Sequence, residues 1–318
     1  QQPAENKMKL QTVAAMDVGS NAIRCLISDV SELGPDKPVK KTAYLRIPVR
    51  LGADVFTSGR ILDARQHMFL EAMTAFVHLM RAYDVDHYRI CATSAMRDAA
   101  NGPALISSVS RATGLEISII SGVEEAEILF EANTFSAWTD PDETALYVDV
   151  GGGSTEIIAV KNNTLLEAQS FQVGTLRMLA QVVAPEEWLR LDAHLARMAE
   201  TYKPRQIIAS GGNINKAAKL LDKKEGKATS RAELQALYED LRTLPYDERR
   251  ARYRLNQYRA DVIVPALEIF LTVAARSGAC RFIIPKVGLV DGMVRHMCFY
   301  GGADQASQPP APSFRDIP

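Results

Sequence analysis

Cysteine, histidine and long apolar runs are all scarce in these 318 residues. The four cysteines, Cys25, Cys91, Cys280 and Cys298, form no C-x-x-C pair. Cys25, Cys91 and Cys280 sit in or beside apolar runs and are expected as buried thiols. The five histidines show no metal-ligand spacing, which excludes a histidine zinc or iron site. No apolar stretch reaches the roughly 18 to 20 residues needed to span a bilayer, and "QQPAENKMKLQ" lacks the apolar centre of a signal peptide. No membrane partner is therefore expected, and the cytoplasm is the expected location. G-x-S-x-G, G-x-x-x-x-G-K-[ST] and G-x-G-x-x-G are all missing. The net charge is only −1. Between Tyr202 and Arg259, 14 Lys and Arg face 7 Asp and Glu. No aromatic residues interleave with them in a recognisable nucleic-acid module, so nucleic acid is not an expected partner.

What the chain does have is a repeated device. "YVDVGGGSTEI" (147–157) runs from an apolar strand into Asp149, then Gly151, Gly152, Gly153, Ser154, Thr155 and Glu156. Consecutive glycines let backbone N–H groups converge on an anion such as phosphate. Two carboxylates beside such a cradle would repel a bare phosphate, so they make sense with a hard cation such as Mg²⁺ between them. The plain alternative is a hairpin in which Gly-Gly supplies positive φ. "AAMDVGSNAIRCLISDV" (14–30) repeats the pattern with Asp17, Gly19, Ser20 and Asn21. The two Asp-x-Gly loops lie 132 residues apart, about one domain length, as expected for two related lobes that each lend a hairpin to a shared cleft.

At 47% hydrophobic the chain can bury a full core, and strands and helices alternate along it, which points to an α/β protein. Strands are expected over 12–30, 41–51, 88–96 and 110–122, and a helix over 63–83 with Asp63 as N-cap. "CATSAMRDAANG" (91–102) places Ser94 and Arg97 after a strand end, where both become phosphate candidates. At 121–138 a strand stops and Glu124-Glu125 opens a helix. Acids in a first turn suit the helix dipole, yet a carboxylate at that corner can also reach over a phosphate cleft and take a proton from an attacking water. "QIIASGGNINKAAKLL" (206–221) brings Gly211 and Gly212 to a helix N-terminus as a third loop. A helix over 259–278, a last strand and a C-terminal helix follow, and 301–318 reads as a disordered tail.

With these motifs in order, the chain resembles the exopolyphosphatase and guanosine pentaphosphate phosphohydrolase family from about residue 12 to 298. The resemblance implies two ribonuclease-H-like lobes of the actin/Hsp70/sugar-kinase superfamily, over 12–138 and 139–300, with a cleft between them. It implies metal-dependent hydrolysis of a terminal phosphoanhydride, with inorganic polyphosphate or guanosine pentaphosphate as substrate. By its motifs, Glu125 is the catalytic residue, and Asp149, Glu156 and Asp17 hold Mg²⁺ or Mn²⁺. Phosphate falls to Gly19, Ser20, Asn21, Arg24, Ser94, Arg97, the Gly151–Thr155 loop, Gly211, Gly212 and Arg259. Ala22 stands where the family has a second serine, and Lys286 to Gly292 lack the family's Arg-Glu pair. Longer relatives carry further C-terminal helical domains, and a homodimer is within expectation. Two other readings compete: a superfamily ATP-dependent kinase or ATPase, and a non-hydrolytic sensor of guanosine tetra- or pentaphosphate.

Overall fold

The computed structural model describes residues 10–31, 39–132, 137–300 and 313–314. A first sheet comprises β1 (Leu10–Val18), β2 (Ile23–Ser31), β3 (Lys40–Ile47), β4 (His87–Ala92) and β5 (Ser118–Ile119), ordered β3-β2-β1-β4-β5. The helices on this half of the chain are α1 (Leu51–Ser58), α2 (Asp63–Ala82), α3 (Ser94–Asp98), α4 (Gly102–Thr113) and α5 (Gly122–Glu131). A second sheet comprises β6 (Ala145–Val150), β7 (Thr155–Lys161), β8 (Thr164–Phe171), β9 (Gln206–Ser210), β10 (Thr229–Ser230) and β11 (Arg281–Ile283), ordered β10-β11-β9-β6-β7-β8. Its half adds α6 (Thr175–Leu179), α7 (Pro185–Tyr202), α8 (Gly212–Leu220), α9 (Arg231–Thr243), α10 (Tyr246–Tyr253), α11 (Gln257–Ala260), α12 (Ile263–Ser277) and α13 (Leu289–Arg295).

The two sheets share one plan. Each starts with a three-stranded antiparallel meander, and its first strand then pairs in parallel with the next: β1 with β4, and β6 with β9. β5 and β11 each extend the parallel run by one strand. This is the duplicated α/β architecture expected from the two Asp-x-Gly loops, with the strand order of the ribonuclease-H-like lobes that the resemblance implies. The parallel strands β1, β4, β6 and β9 all end on the side from which Gly19, Thr93, Gly151 and Gly211 continue. That is the side where open α/β sheets bind ligands.

Strand alternation decides which core each side chain enters. Along β1, Ala14, Met16 and Val18 face the helices α1 to α4, while Val13 and Ala15 face the other way. Along β6, Leu146 and Val148 join the core of α7, α8, α9 and α12, while Ala145 and Tyr147 turn toward the first sheet. Between the sheets lies a third core built on Ile128 and Leu129 of α5 with Leu289, Val290 and Met293 of α13. α5 comes from the first half of the chain yet rests on β7 and β8, and α13 comes from the second half yet rests on β1 and β2. Both central strands are thus buried on two faces, which explains their near-continuous apolar runs. Each fully buried aliphatic side chain contributes about 1.5–3 kcal/mol.

Several local expectations are corrected. β3 stops at Ile47, and α1 begins at Leu51 after Arg50 takes a left-handed φ of 56°. β4 ends at Ala92, and β5 is only two residues long. Asp63 is the first helical residue of α2 rather than its cap, which is Leu62. The helix expected over 259–278 is broken into α11 and α12. Cys25 and Cys91 are buried, but Cys280, just before β11, is exposed. The tail is corrected at Ser313 and Phe314. The Phe314 N–H donates to the Asp86 carbonyl at 2.9 Å, and its buried ring meets Tyr88 edge-on at 6.0 Å. The remainder of 301–318 lies outside the described residues. Among the described residues no helix is long and apolar enough to cross a membrane.

Candidate active site

The strand-end loops of both halves meet across one cleft of about 380 Å³. The first wall carries Asp17, Gly19, Ser20, Asn21, Arg24, Ser94 and Glu125. The second carries Asp149, Gly151, Gly152, Gly153, Ser154, Gly211, Gly212 and Arg259. Residues more than 200 positions apart are thereby collected around one volume.

The glycines are there for closeness. None of Gly19, Gly151, Gly152 or Gly153 has positive φ, so the turn geometry itself does not demand them. A Cβ on Gly152 would sit 3.0 Å from Ser20 Cβ and 3.2 Å from the Asn21 nitrogen. One on Gly153 would lie 2.6 Å from Phe56 and 2.8 Å from Ser20 Oγ. The two phosphate-type loops touch each other, and any side chain at these positions would wedge them apart. Gly211 is different: its φ of +113° is a conformation that L residues rarely adopt.

Glu125 owes its position to its neighbour. Ser121 caps α5 by accepting from the Glu124 N–H at 3.2 Å, and Glu124 reaches back to the Ser121 N–H at 2.7 Å, a complete capping box. Glu124 therefore takes the helix-start role. Glu125, one residue on, is buried, lines the cleft, and has one carboxylate oxygen without a hydrogen-bond partner. Burial, followed by the charges of Glu156 and Asp17, holds its carboxyl well above the ordinary range.

The other acids form a graded set. Asp17 pairs with Arg24, directly across β1 and β2. Burial raises Asp17 even so. Burial also raises Asp149, with Ser210 and Arg24 offsetting part of it. Glu156 stands opposite Asp149 on β7, fully buried, and accepts from Ser170 Oγ at 2.8 Å. Burial and Asp149 lift it to about 7.

Three candidates do not line the cleft. Thr155 is fully buried and its hydroxyl donates to the Val173 carbonyl at 2.6 Å, so it closes the hairpin instead of facing a phosphate. Arg97 donates to the Ile120 carbonyl at 2.5 Å and approaches Glu125 to 4.0 Å, so it steadies the Glu125 corner from behind. Glu156 lies one strand behind Asp149, with its second oxygen buried and unpartnered. Several residues escaped the sequence reading, among them Tyr44, Arg46 and Arg177. Tyr44 and Arg46 line the cleft from β3, and their two-residue spacing on a strand was the available signal. Arg177 gave none, because it is a lone basic residue on α6. It donates to the Gly153 carbonyl at 2.6 Å, pairs with Asp98 and stacks over Phe56 at 4.2 Å, pinning one half of the molecule to the other.

The chemistry defined so far is that of an oxyanion site: glycine loops, hydroxyls and guanidiniums around a buried carboxylate. The Ppx/GppA phosphatase family model matches residues 39–300, and the chain belongs to that family. It is 30% identical over 179 residues to "Exopolyphosphatase 2" of Mycobacterium tuberculosis, covering 54% of each chain. It is also 30% identical over 168 residues to a "Bifunctional 3-dehydroquinate synthase/phosphatase" of Fusobacterium nucleatum, of which the match spans 25%. A "Putative exopolyphosphatase" of Haemophilus influenzae is 23% identical over 93% of both chains. The match thus takes in about half or less of the first two relatives and nearly all of the third. Among solved structures, an exopolyphosphatase from Cytophaga hutchinsonii superposes with a TM-score of 0.78 at 23% identity, over 91% of this chain and 98% of that one. The Aquifex aeolicus family member superposes with a TM-score of 0.72 at 24% identity, over 90% and 97%. These two establish the shared fold.

Proposed function

We propose that the protein is a metal-dependent exopolyphosphatase, hydrolysing the terminal phosphoanhydride of inorganic polyphosphate, with guanosine pentaphosphate as a second substrate of the same chemistry. The observation that carries this reading is the contact of two glycine loops, at Gly152 and Ser20, in a cleft that also holds the buried Glu125 carboxylate. The names of the relatives, two of them exopolyphosphatases, support it.

The loops bind the terminal phosphate. Ser20 Oγ accepts from the Ala95 N–H at 3.1 Å, which orients the hydroxyl and leaves its own O–H to donate. Glu125 orients a water in line with the phosphorus and takes its proton, while Arg97, 4.0 Å from Oε2, stands behind the carboxylate. A raised pKa makes it a stronger base once ionised, and general-base catalysis supplies on the order of 10²- to 10⁴-fold. Arg24 and Arg259 face the negative charge that develops on the leaving side. The cleft presents hard oxygens for a metal: the Asp149 and Asp17 carboxylates and the buried, unpartnered Asn21 Oδ1. Among the described residues no three acids, histidines or cysteines converge as a complete cage. That donor set suits Mg²⁺, which keeps several waters and takes one or two carboxylates along with phosphate oxygens. Asp149 and Asp17 would hold it, with Glu156 tuning Asp149 from behind, and the ion would supply charge neutralisation at the terminal phosphate.

The test is phosphate release with Mg²⁺ from tripolyphosphate, long polyphosphate, guanosine pentaphosphate and ATP. Release from the polyphosphates is the expected outcome. ATP turnover dependent on a second substrate would instead indicate a kinase, and binding without release would indicate a sensor.

A further inference from the structure

The arginines in and around the cleft are unequally compensated. Arg24 pairs with Asp17, and Arg50 pairs with Asp261 at 2.7 Å. Arg46 lines the same cleft, and no carboxylate pairs with it among the described residues. It stands directly opposite Arg24 in the antiparallel β2–β3 register. Like charges facing each other across such a pair destabilise the sheet. Arg259 arrives from α11 on the other wall, and its side-chain partner is the neutral Asn213, whose Oδ1 accepts at 2.8 Å. Burial, then Arg46 and Arg24, lower Arg259 to about 10. Tyr44, two residues before Arg46 and 55% exposed, lines the cleft beside them. Arg46 and Arg259 thus bring cationic charge to both walls of the cleft, and among the described residues neither is paired with a carboxylate.

We propose that Arg46 and Arg259, one from each wall, with Tyr44 beside them, form a second oxyanion subsite that holds the phosphoryl group next to the one cleaved. This rests on the reading of the cleft as a phosphoanhydride site. Two guanidiniums offer planar forks to non-bridging oxygens, and an oligophosphate supplies the charge that the protein leaves out. Arg46 is a specificity-determining residue in this arrangement: a ligand with one phosphate fills the loops without touching it, and one with two or more needs it.

Tripolyphosphate and orthophosphate are titrated calorimetrically, with Mg²⁺, into Glu125→Gln and into Glu125→Gln with Arg46→Gln, the first substitution keeping the ligand intact. The added Arg46→Gln is expected to weaken tripolyphosphate by at least about tenfold, the loss of one charge-assisted contact, and orthophosphate by less than about twofold. Arg46→Lys should lie between. The doubly substituted protein should melt no lower than the single variant, since repulsion with Arg24 is relieved. Unchanged tripolyphosphate affinity, equal weakening of both ligands, or no tripolyphosphate binding before Arg46 is changed overturns the subsite. Phosphate release by the unsubstituted protein is measured in parallel. Its absence removes the hydrolase reading, while the binding comparison still decides the subsite.

Discussion

Asp149 and Glu156 stand opposite each other across β6 and β7, Asp149 half-buried on the cleft wall and Glu156 fully buried behind it. Two carboxylates opposed in this way cannot both ionise freely. Of the two, Glu156, lifted to about 7, keeps its proton to the higher pH.

A stability dependence follows. For a carboxyl raised from 4.5 to about 7 on folding, the folded state binds more protons than the unfolded one between those values. Stability from this group is complete below about pH 4.5 and is lost as pH rises through about 7. Asp149 and Glu125 shift in the same direction. The ligand-free, metal-free protein should therefore lose melting temperature between pH 5 and 8, and Glu156→Gln should flatten that slope. Calorimetric melts across the range check it, and an equally steep slope in Glu156→Gln would remove the assignment.

Glu125→Gln should fold as the parent does and lose on the order of 10²- to 10⁴-fold in turnover while still binding tripolyphosphate. In the parent, turnover should climb with pH through an apparent pKa above the ordinary glutamate range, because the base works only when ionised. Phosphate release against pH reads both effects. Activity close to the parent's in the glutamine variant would shift the role to another group.

Gly153→Ala should separate the two loops, since its Cβ would fall 2.6 Å from Phe56 and 2.8 Å from Ser20 Oγ. We expect a cost of about 1–3 kcal/mol in stability and a larger relative loss of activity. Ala at Gly59, where nothing stands within 4 Å of a Cβ although φ is +74°, serves as a control for backbone strain without a clash. Denaturant melts paired with turnover separate the two causes.

Arg177→Ala should cost about 1–3 kcal/mol, chiefly because it leaves the buried Gly153 carbonyl without its donor, whereas Asp98 is exposed and regains water. Urea unfolding measures the loss. A drop in turnover larger than the change in folded fraction would show that this pin also sets the spacing of the cleft.

Chelation should abolish phosphate release, and added Mg²⁺ or Mn²⁺ should restore it. Turnover that survives exhaustive chelation would exclude the metal role given to Asp149 and Asp17.

Much of this was legible in the chain because the signals were local. The Asp-x-Gly repeats, the apolar runs of β1 and β6, and Ser121 with Glu124 are short-range patterns whose physics is backbone geometry, burial and capping. They gave the duplicated α/β plan and nearly all of the cleft loops. The sequence could not reveal that Thr155 spends its hydroxyl on Val173, that Arg97 turns to Ile120, or that Glu156 stands a strand behind Asp149. Hydrogen-bond partners 18 or 23 residues away are chosen by packing. Nor could it explain the glycines. Their composition suggested turn conformation, whereas the reason is a neighbour more than 130 residues distant, Ser20 beneath Gly152. What the sequence by itself determined is which strands and loops form, because those depend on residues a few positions apart. The tertiary structure alone decided which loops touch, that α5 and α13 each lie on the opposite half's sheet, and that Arg46, opposite Arg24, shares a cleft with Arg259 while neither Arg46 nor Arg259 has a carboxylate partner among the described residues. Those are consequences of long-range packing, where one fixed crossing of the chain brings groups together whatever their separation in sequence.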